Sequence, residues 1–231
     1  MLVNFLLTPF LQRVYWLIVL VGVGFFSVLF ARHSGWYKDR LYHRLLTGNP
    51  QQRLEATGGL AAYGGQKQLL AALKSDSDEI RELAGRGLNF IWFHASGEEA
   101  YKMVDAAYVA SEKKEFPQAL AIADRLVAQY PNFAEGWNRR GSIHWQMGAY
   151  EKSLADCAKA LALNPDHYGA WQGAGVCQLE LGDILAAVRS LRAALKIIPH
   201  DSATRASLQK CEDLLKQKPG PGRAVAKEEF I

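Results

Sequence analysis

Three prolines recur at one fixed spacing and constrain the fold more than any other feature of the sequence. Pro131, Pro165 and Pro199 stand 34 residues apart (165 − 131 = 34 and 199 − 165 = 34). A fixed period of this length indicates repeated helical units, each too small to bury its apolar face unless it stacks on a neighbour. The spacing therefore favours a helical repeat array over an ordinary helical bundle.

Residue sizes match when the segments 100–133, 134–167 and 168–201 are overlaid. The fourth position is large and apolar in each segment: Met103, Trp137 and Trp171. The eighth position is small in each segment: Ala107, Gly141 and Gly175. Small residues let two antiparallel helices approach closely, and Gly148 and Gly182 supply the turn between them. We therefore predict three repeats of two helices each, every second helix ended by its proline.

These columns resemble tandem tetratricopeptide repeats (TPRs). Repeat two, AEGWNRRGSIHWQMGAYEKSLADCAKALALNPDH, is the closest match, although Arg140 and His144 stand where the family usually has Leu and Tyr. Repeat one lacks both the Trp and the turn Gly. The segment DSATRASLQKCEDLLKQK after Pro199 has the apolar spacing of a capping helix, so the predicted domain spans 100–216. The resemblance implies an all-α fold, a right-handed α-α superhelix.

Residues 36–99 form a second predicted helical region, with a weaker resemblance to HEAT repeats. Arg53 and Arg81 each precede a Leu and an Ala in two similar helical halves, and Asp76 and Asp78 could cap the second half. A pair of ordinary linker helices is the alternative. Residues 217–231 are polar and rich in Pro and Gly, and are predicted to be a mobile tail.

The first 35 residues predict a membrane anchor that precedes both helical regions. Residues 14–31 carry no charge, and 18 residues of helix rise about 27 Å, close to the ~30 Å hydrocarbon core. More Lys and Arg follow this segment than precede it, which favours a cytoplasmic C-terminal domain. The alternative is an exported protein released by signal cleavage after Ala31, although Leu29 stands where a small residue is preferred.

The composition and the motifs argue against catalysis and against metal or nucleic-acid binding. The net charge of +4 is modest and dispersed, so nucleic acid is not an expected partner. The three cysteines have no zinc-binding spacing and are interpreted as buried fillers. No phosphate-binding, metalloprotease or nucleophile-elbow motif is present in the sequence. We predict a protein that is not an enzyme and that uses no cofactor, metal or small-molecule substrate.

The TPR resemblance implies that the first helices of the repeats line a concave groove for a partner peptide or helix. Carried over by register, the predicted groove residues are Tyr101, Val104, Tyr108, Glu135, Asn138, Ser142, Trp145, Gln146, Gln172, Val176 and Leu179. Family members that grip acidic chaperone tails do so with Lys, Asn and Arg at set groove positions. The matching residues here include Val104, Tyr108, Gly169 and Gly173, so that carboxylate clamp is not expected. The predicted function is a membrane-anchored scaffold or assembly factor that binds an apolar or amphipathic segment of an unidentified protein.

Overall fold

The structure is a computed structural model that describes residues 9–217. Within its first helix, the side chains of residues 9–11 and 25–32 lie outside the description. The predicted mobile tail lies almost wholly outside the described residues, at 218–231.

The described residues form twelve α-helices and no β-strand. In chain order these are α1 Pro9–His33, α2 Gly35–Thr47, α3 Pro50–Ala62, α4 Gln66–Ala72, α5 Asp78–Phe93, α6 Glu98–Glu112, α7 Phe116–Gln129, α8 Ala134–Gln146, α9 Tyr150–Leu163, α10 Tyr168–Glu180, α11 Ile184–Ile197 and α12 Ser202–Gln217. The all-α prediction is confirmed for this part of the chain, and the handedness of the array stays a prediction.

The chain divides into two compact units, Met1–Ile91 and Trp92–Ile231. The first contains α1 to α4 and most of α5, and the second contains α6 to α12. The predicted domain limits at 35, 99 and 216 stay predictions, as does the HEAT-like assignment of 36–99.

The predicted membrane span, residues 14–31, falls within α1. Within the described part of the chain, no helix combines the length and the apolar character that crossing a membrane requires. The predicted single-pass membrane localisation, with its anchor at 1–35 and its cytoplasmic domain, is therefore wrong on the described residues. Cleavage after Ala31 stays a prediction, because no observation tests it.

Short polar caps fix the helix starts in the first unit. Asn49 and Gln52 form a reciprocal capping box at the start of α3, in which each side chain accepts from the other's backbone N–H. At the start of α5 the Oγ of Ser77 accepts from the backbone N–H of Ile80 at 3.5 Å. The cap predicted for Asp78 is wrong, because its carboxylate instead accepts from Arg81.

Helices α6 to α11 form three antiparallel pairs with the predicted period of 34. The small eighth-position residues lie where the two helices of a pair are closest. A Cβ built on Gly175 would stand 2.7 Å from both Cγ and Cδ2 of Leu191, and one on Gly141 would stand 3.3 Å from the Cβ of Asp156. No larger side chain fits at Gly175 without moving Leu191 or the backbone.

The turn between the helices of each pair uses a left-handed backbone residue. Gly148 has φ 73° and Gly182 has φ 81°, as the sequence predicts. The corresponding residue of repeat one is Lys114, with φ 61°. The repeat therefore keeps its turn geometry even where glycine is missing, at the steric cost that an L-residue meets in this region.

The prolines also serve as hydrogen-bond acceptors for the next first helix. The indole Nε1–H of Trp137 donates to the carbonyl of Pro131 at 2.8 Å, and that of Trp171 donates to Pro165 at 2.9 Å. At the corresponding position of α12, the guanidinium of Arg205 donates to the carbonyl of Pro199 at 2.6 Å. Helix α12 thus continues the register of the repeats.

The two departures of repeat two from the family pattern form one polar cluster. Arg140 donates two hydrogen bonds to the buried carboxylate of Asp156, at 2.7 and 2.9 Å, and one to Asp124 at 2.9 Å. His144 lies 3.8 Å from Asp156. Burial lowers the pKa of His144, and this effect outweighs the opposing attraction of Asp156. Arg140 therefore links three helices, α7, α8 and α9.

Candidate partner-binding groove

The first helices of the three repeats line two adjacent cavities in the second unit. The aromatic pocket has a volume of about 290 Å³ and is lined by Phe93, Tyr101, Val104, Asp105, Tyr108 and Arg139. The central pocket has a volume of about 330 Å³ and lies mainly between α8 and α10. Its lining is Asn138, Arg139, Ser142, Trp145, Ser153, Cys157, Gly169, Gln172, Gly173 and Val176. Arg139 lines both cavities, so the two lie side by side and together form the groove considered below.

Eight of the eleven predicted groove residues line these cavities. The aromatic pocket takes Tyr101, Val104 and Tyr108, and the central pocket takes Asn138, Ser142, Trp145, Gln172 and Val176. Gln146 is exposed at the end of α8. Leu179 packs against the core formed by α11 and α12. Glu135 is buried, at 4% exposure. Whether any of the eleven contacts a partner stays a prediction.

Two large aromatic side chains stand open to solvent along the groove. Tyr108 is 44% exposed and Trp145 is 45% exposed. Each lines a cavity, of about 290 Å³ for Tyr108 and about 330 Å³ for Trp145. Large aromatic residues in such positions are the groups that most often dominate protein–protein binding.

Arg139 separates the two pockets, and its charge is already balanced. Its guanidinium forms an ion pair with Glu135 at 3.4 Å and lies over the ring of Tyr108, 5.0 Å from the ring centroid. The side chain is 15% exposed. Glu135 therefore neutralises the charge of Arg139, and the side chain, stacked on Tyr108, forms a wall between the pockets. It is not an open anion-binding group.

A buried polar cluster beneath the groove was missed by the sequence analysis. His167 precedes α10, where its Nδ1 accepts from the backbone N–H of Ala170 at 3.1 Å. Its Nε2 therefore carries the proton and donates to Glu135 at 2.9 Å. The indole of Trp92, at the end of α5, stacks on the imidazole with 4.9 Å between ring centroids. The repeat period could have indicated the capping role of His167. Asp201 lies 34 residues later, and its side chain likewise accepts from a backbone N–H at the start of α12.

The amide residues at the fifth position differ in what they contact. Gln172 donates to Asp201 at 3.2 Å and to the hydroxyl of Thr204 at 2.6 Å, and so ties α10 to α12. Asn138 makes only long contacts of 3.3 and 3.5 Å with Glu135. Asn138 is therefore the more available of the two amides for a ligand in the central pocket.

The cysteines near the groove are unsuited to nucleophilic chemistry. Burial raises the pKa of the Cys157 thiol to about 12, so the reactive thiolate is scarce at neutral pH. Cys177 donates to the hydroxyl of Ser153 at 3.1 Å. All three cysteines are unpaired and buried. Among the described residues, no cluster of His, Cys, Asp and Glu could hold a metal ion.

Comparison with protein families identifies the repeats. Tetratricopeptide-repeat families match residues 134–167 and residues 157–202. A TPR repeat-containing protein of Rhizobium etli is 29% identical over 160 residues, which cover 68% of this chain and 72% of that protein.

Two larger relatives match over shorter stretches. Anaphase-promoting complex subunit 3 of Schizosaccharomyces pombe is 30% identical over 46% of this chain, and human serine/threonine-protein phosphatase 5 is 24% identical over 50% of it. The matches cover only 16% and 23% of those proteins.

Solved structures share the fold of about half of this chain. The first TPR of Spaghetti (RPAP3), bound to the HSP90 peptide SRMEEVD, aligns with a TM-score of 0.50 at 17% identity and covers 51% of this chain and 93% of its own. The Sgt2 TPR domain from Aspergillus fumigatus aligns with the same TM-score and identity, over 57% and 91%. The repeat period, the paired helices and the family matches agree that residues 134–202 carry tetratricopeptide repeats.

Proposed function

We propose that this chain is a peptide-binding protein that holds a segment of a partner protein along the groove formed by α6, α8 and α10. The observation that carries the proposal is that the aromatic and central pockets lie side by side, with Arg139 as their shared lining residue. A partner segment lying across Arg139 can place one side chain in each pocket. Two anchored side chains fix both the position and the direction of the segment.

The chemistry of the groove suits a mixed apolar and polar segment. Trp145 and Val176 offer apolar surface in the central pocket, while Asn138 and Ser142 offer hydrogen-bonding groups. Arg139 is neutralised by Glu135, so the centre of the groove does not favour an acidic ligand. This differs from the ligand in the RPAP3 structure, whose HSP90 peptide contains two adjacent glutamates and a terminal aspartate.

We further propose that the groove binds without catalysing a reaction. The buried Cys157 thiol has a pKa far above neutrality, so it supplies little reactive thiolate. The matched stretch of phosphatase 5 is 23% of that enzyme, so its activity gives no ground for expecting one here. The protein's role is then to hold or organise a partner.

Selection from a displayed library of random twelve-residue peptides tests this function on the full chain. The selected peptides are then measured by fluorescence anisotropy against Trp145→Ala and Tyr108→Ala. Both residues are exposed, so their removal leaves the core intact. We expect each change to weaken binding at least about tenfold, the loss typical of an aromatic anchor.

Leu185→Ala is the matched control, because Leu185 is an exposed apolar residue on the second helix α11. Its substitution should leave the affinity unchanged. Failure to select any peptide, or binding that tolerates both groove substitutions, contradicts the proposed function.

A further inference from the structure

The aromatic pocket combines three aromatic rings with one carboxylate. Phe93, Tyr101 and Tyr108 form much of its lining, together with the buried Val104. Asp105 is exposed and also lines the cavity. From this arrangement we propose that the aromatic pocket receives a cationic side chain, lysine or arginine, of the partner segment; this inference rests on the proposed peptide-binding function.

Asp105 supplies a negative charge that nothing balances. Its carboxylate makes no hydrogen bond or ion pair with any residue that the structure describes. The nearest lysine in the sequence of α6, Lys102, donates instead to Glu99 at 2.9 Å. The other charged group of the pocket, Arg139, is paired with Glu135. The pocket therefore carries one uncompensated negative charge.

The helix that bears Asp105 strengthens this charge. Helix α6 contains four acidic residues and one lysine, a formal charge of −3 (1 − 4). Such a surface attracts a basic segment from a distance and repels an acidic one. The aromatic pocket is thus complementary in charge to lysine or arginine and not to aspartate or glutamate.

The rings add a second attraction for a cation. The face of an aromatic ring carries partial negative charge, and cations bind within about 6 Å of its centroid. Arg139 already uses one face of Tyr108 in this way, at 5.0 Å. One face of Tyr101 is stacked on His94, with 4.4 Å between centroids. A long basic side chain can lay its methylene groups against these rings and present its charge to Asp105.

The test uses the peptides selected on the full chain. Each lysine of a selected peptide is replaced by norleucine, and each arginine by citrulline, which preserve length but remove the charge. We expect one such replacement to weaken binding about tenfold or more to the unmodified protein. The same replacement should cost less than about threefold on Asp105→Asn, because the charge partner is then absent.

Glu112→Gln is the matched control, since Glu112 is an exposed carboxylate on the same helix that does not line the pocket. Glu112 adds only to the overall charge of α6, so on this variant the replacement should still cost about tenfold or more. Two results overturn the inference while leaving peptide binding intact: selected peptides that contain no lysine or arginine, or an equal loss on Asp105→Asn and the unmodified protein. A selection without any binder overturns the proposed function and this inference together.

Discussion

Replacing Lys114 with glycine should stabilise the repeat array. Lys114 has φ 61°, a conformation that costs an L-residue roughly 1–2 kcal/mol. Glycine avoids this cost but loses about 0.5–1 kcal/mol more conformational entropy on folding. The expected net gain is about 0.5–1 kcal/mol in the free energy of unfolding, or about 1–4 °C in melting temperature for a unit of this size.

Urea unfolding followed by circular dichroism measures this gain on the full chain. Lys114→Ala separates the backbone effect from removal of the lysine charge, because alanine keeps the Cβ and should change stability little. Gly148→Ala tests the same position in repeat two, where a Cβ meets no atom within 4 Å. Its cost should therefore be the backbone term alone, about 1 kcal/mol.

The order expected at position 114 is glycine most stable, with lysine and alanine similar. Equal stabilisation by alanine and glycine would refute the backbone argument and assign the effect to the side chain. A loss of stability in Lys114→Gly, together with a neutral Gly148→Ala, would show that the left-handed turn carries no steric cost in this array.

Three further changes test the packing and electrostatics of the second unit. Gly175→Ala should destabilise by about 1–3 kcal/mol, because its Cβ would overlap the side chain of Leu191; urea midpoints measure this loss. Asp156→Asn should cost about 1–3 kcal/mol, because the amide carries no charge and can accept only one of the two hydrogen bonds that Arg140 donates; thermal unfolding measures it. The pKa of His144 is lowered in the folded chain, so its contribution to stability is present above pH 6.5 and is lost as the pH falls below that value; urea unfolding at pH 7.5 and 5.5 measures the difference.

Each of these changes has a control at a less constrained position. Gly85→Ala lies in a helix where a Cβ meets nothing within 4 Å, and it should stabilise slightly. Asp124→Asn removes a carboxylate that is 55% exposed and should cost less than about 1 kcal/mol. His144→Gln should flatten the pH dependence, and an unchanged slope would contradict the assignment to this histidine.

The residue types at matching repeat positions could be predicted because the 34-residue period is visible in the sequence itself. The small residue at Gly175 and the turns at Gly148 and Gly182 follow from chain geometry that every repeat must satisfy. Their places in the structure agree with the sequence pattern. The left-handed backbone of Lys114 was not predicted. In a sequence, only a glycine at this position indicates such a turn.

The groove could be predicted only in part. Whether a groove position is buried depends on neighbouring residues that the repeat pattern does not include. Glu135 occupies a position that faces a ligand in the family, yet here His167 and Arg139 bond to its carboxylate. Trp92, which covers His167, belongs to no repeat. Asp105 was overlooked because the family positions assign no ligand contact to it.

Arg140 and His144 show a different limit of sequence reasoning. They were recognised as departures from the family pattern, but their common partner Asp156 could not be named. The link requires the three-dimensional pairing of α8 with α9, and no register rule joins positions 140 and 156.

The bond from Arg205 to the Pro199 carbonyl makes the array modular. Because α12 keeps the register of a first helix, excision of residues 168–201 would bring Arg205 to the place of Trp171, within reach of the Pro165 carbonyl. The shortened chain would regenerate its own end cap. The array can therefore gain or lose one 34-residue repeat and keep the same capping helix at its end.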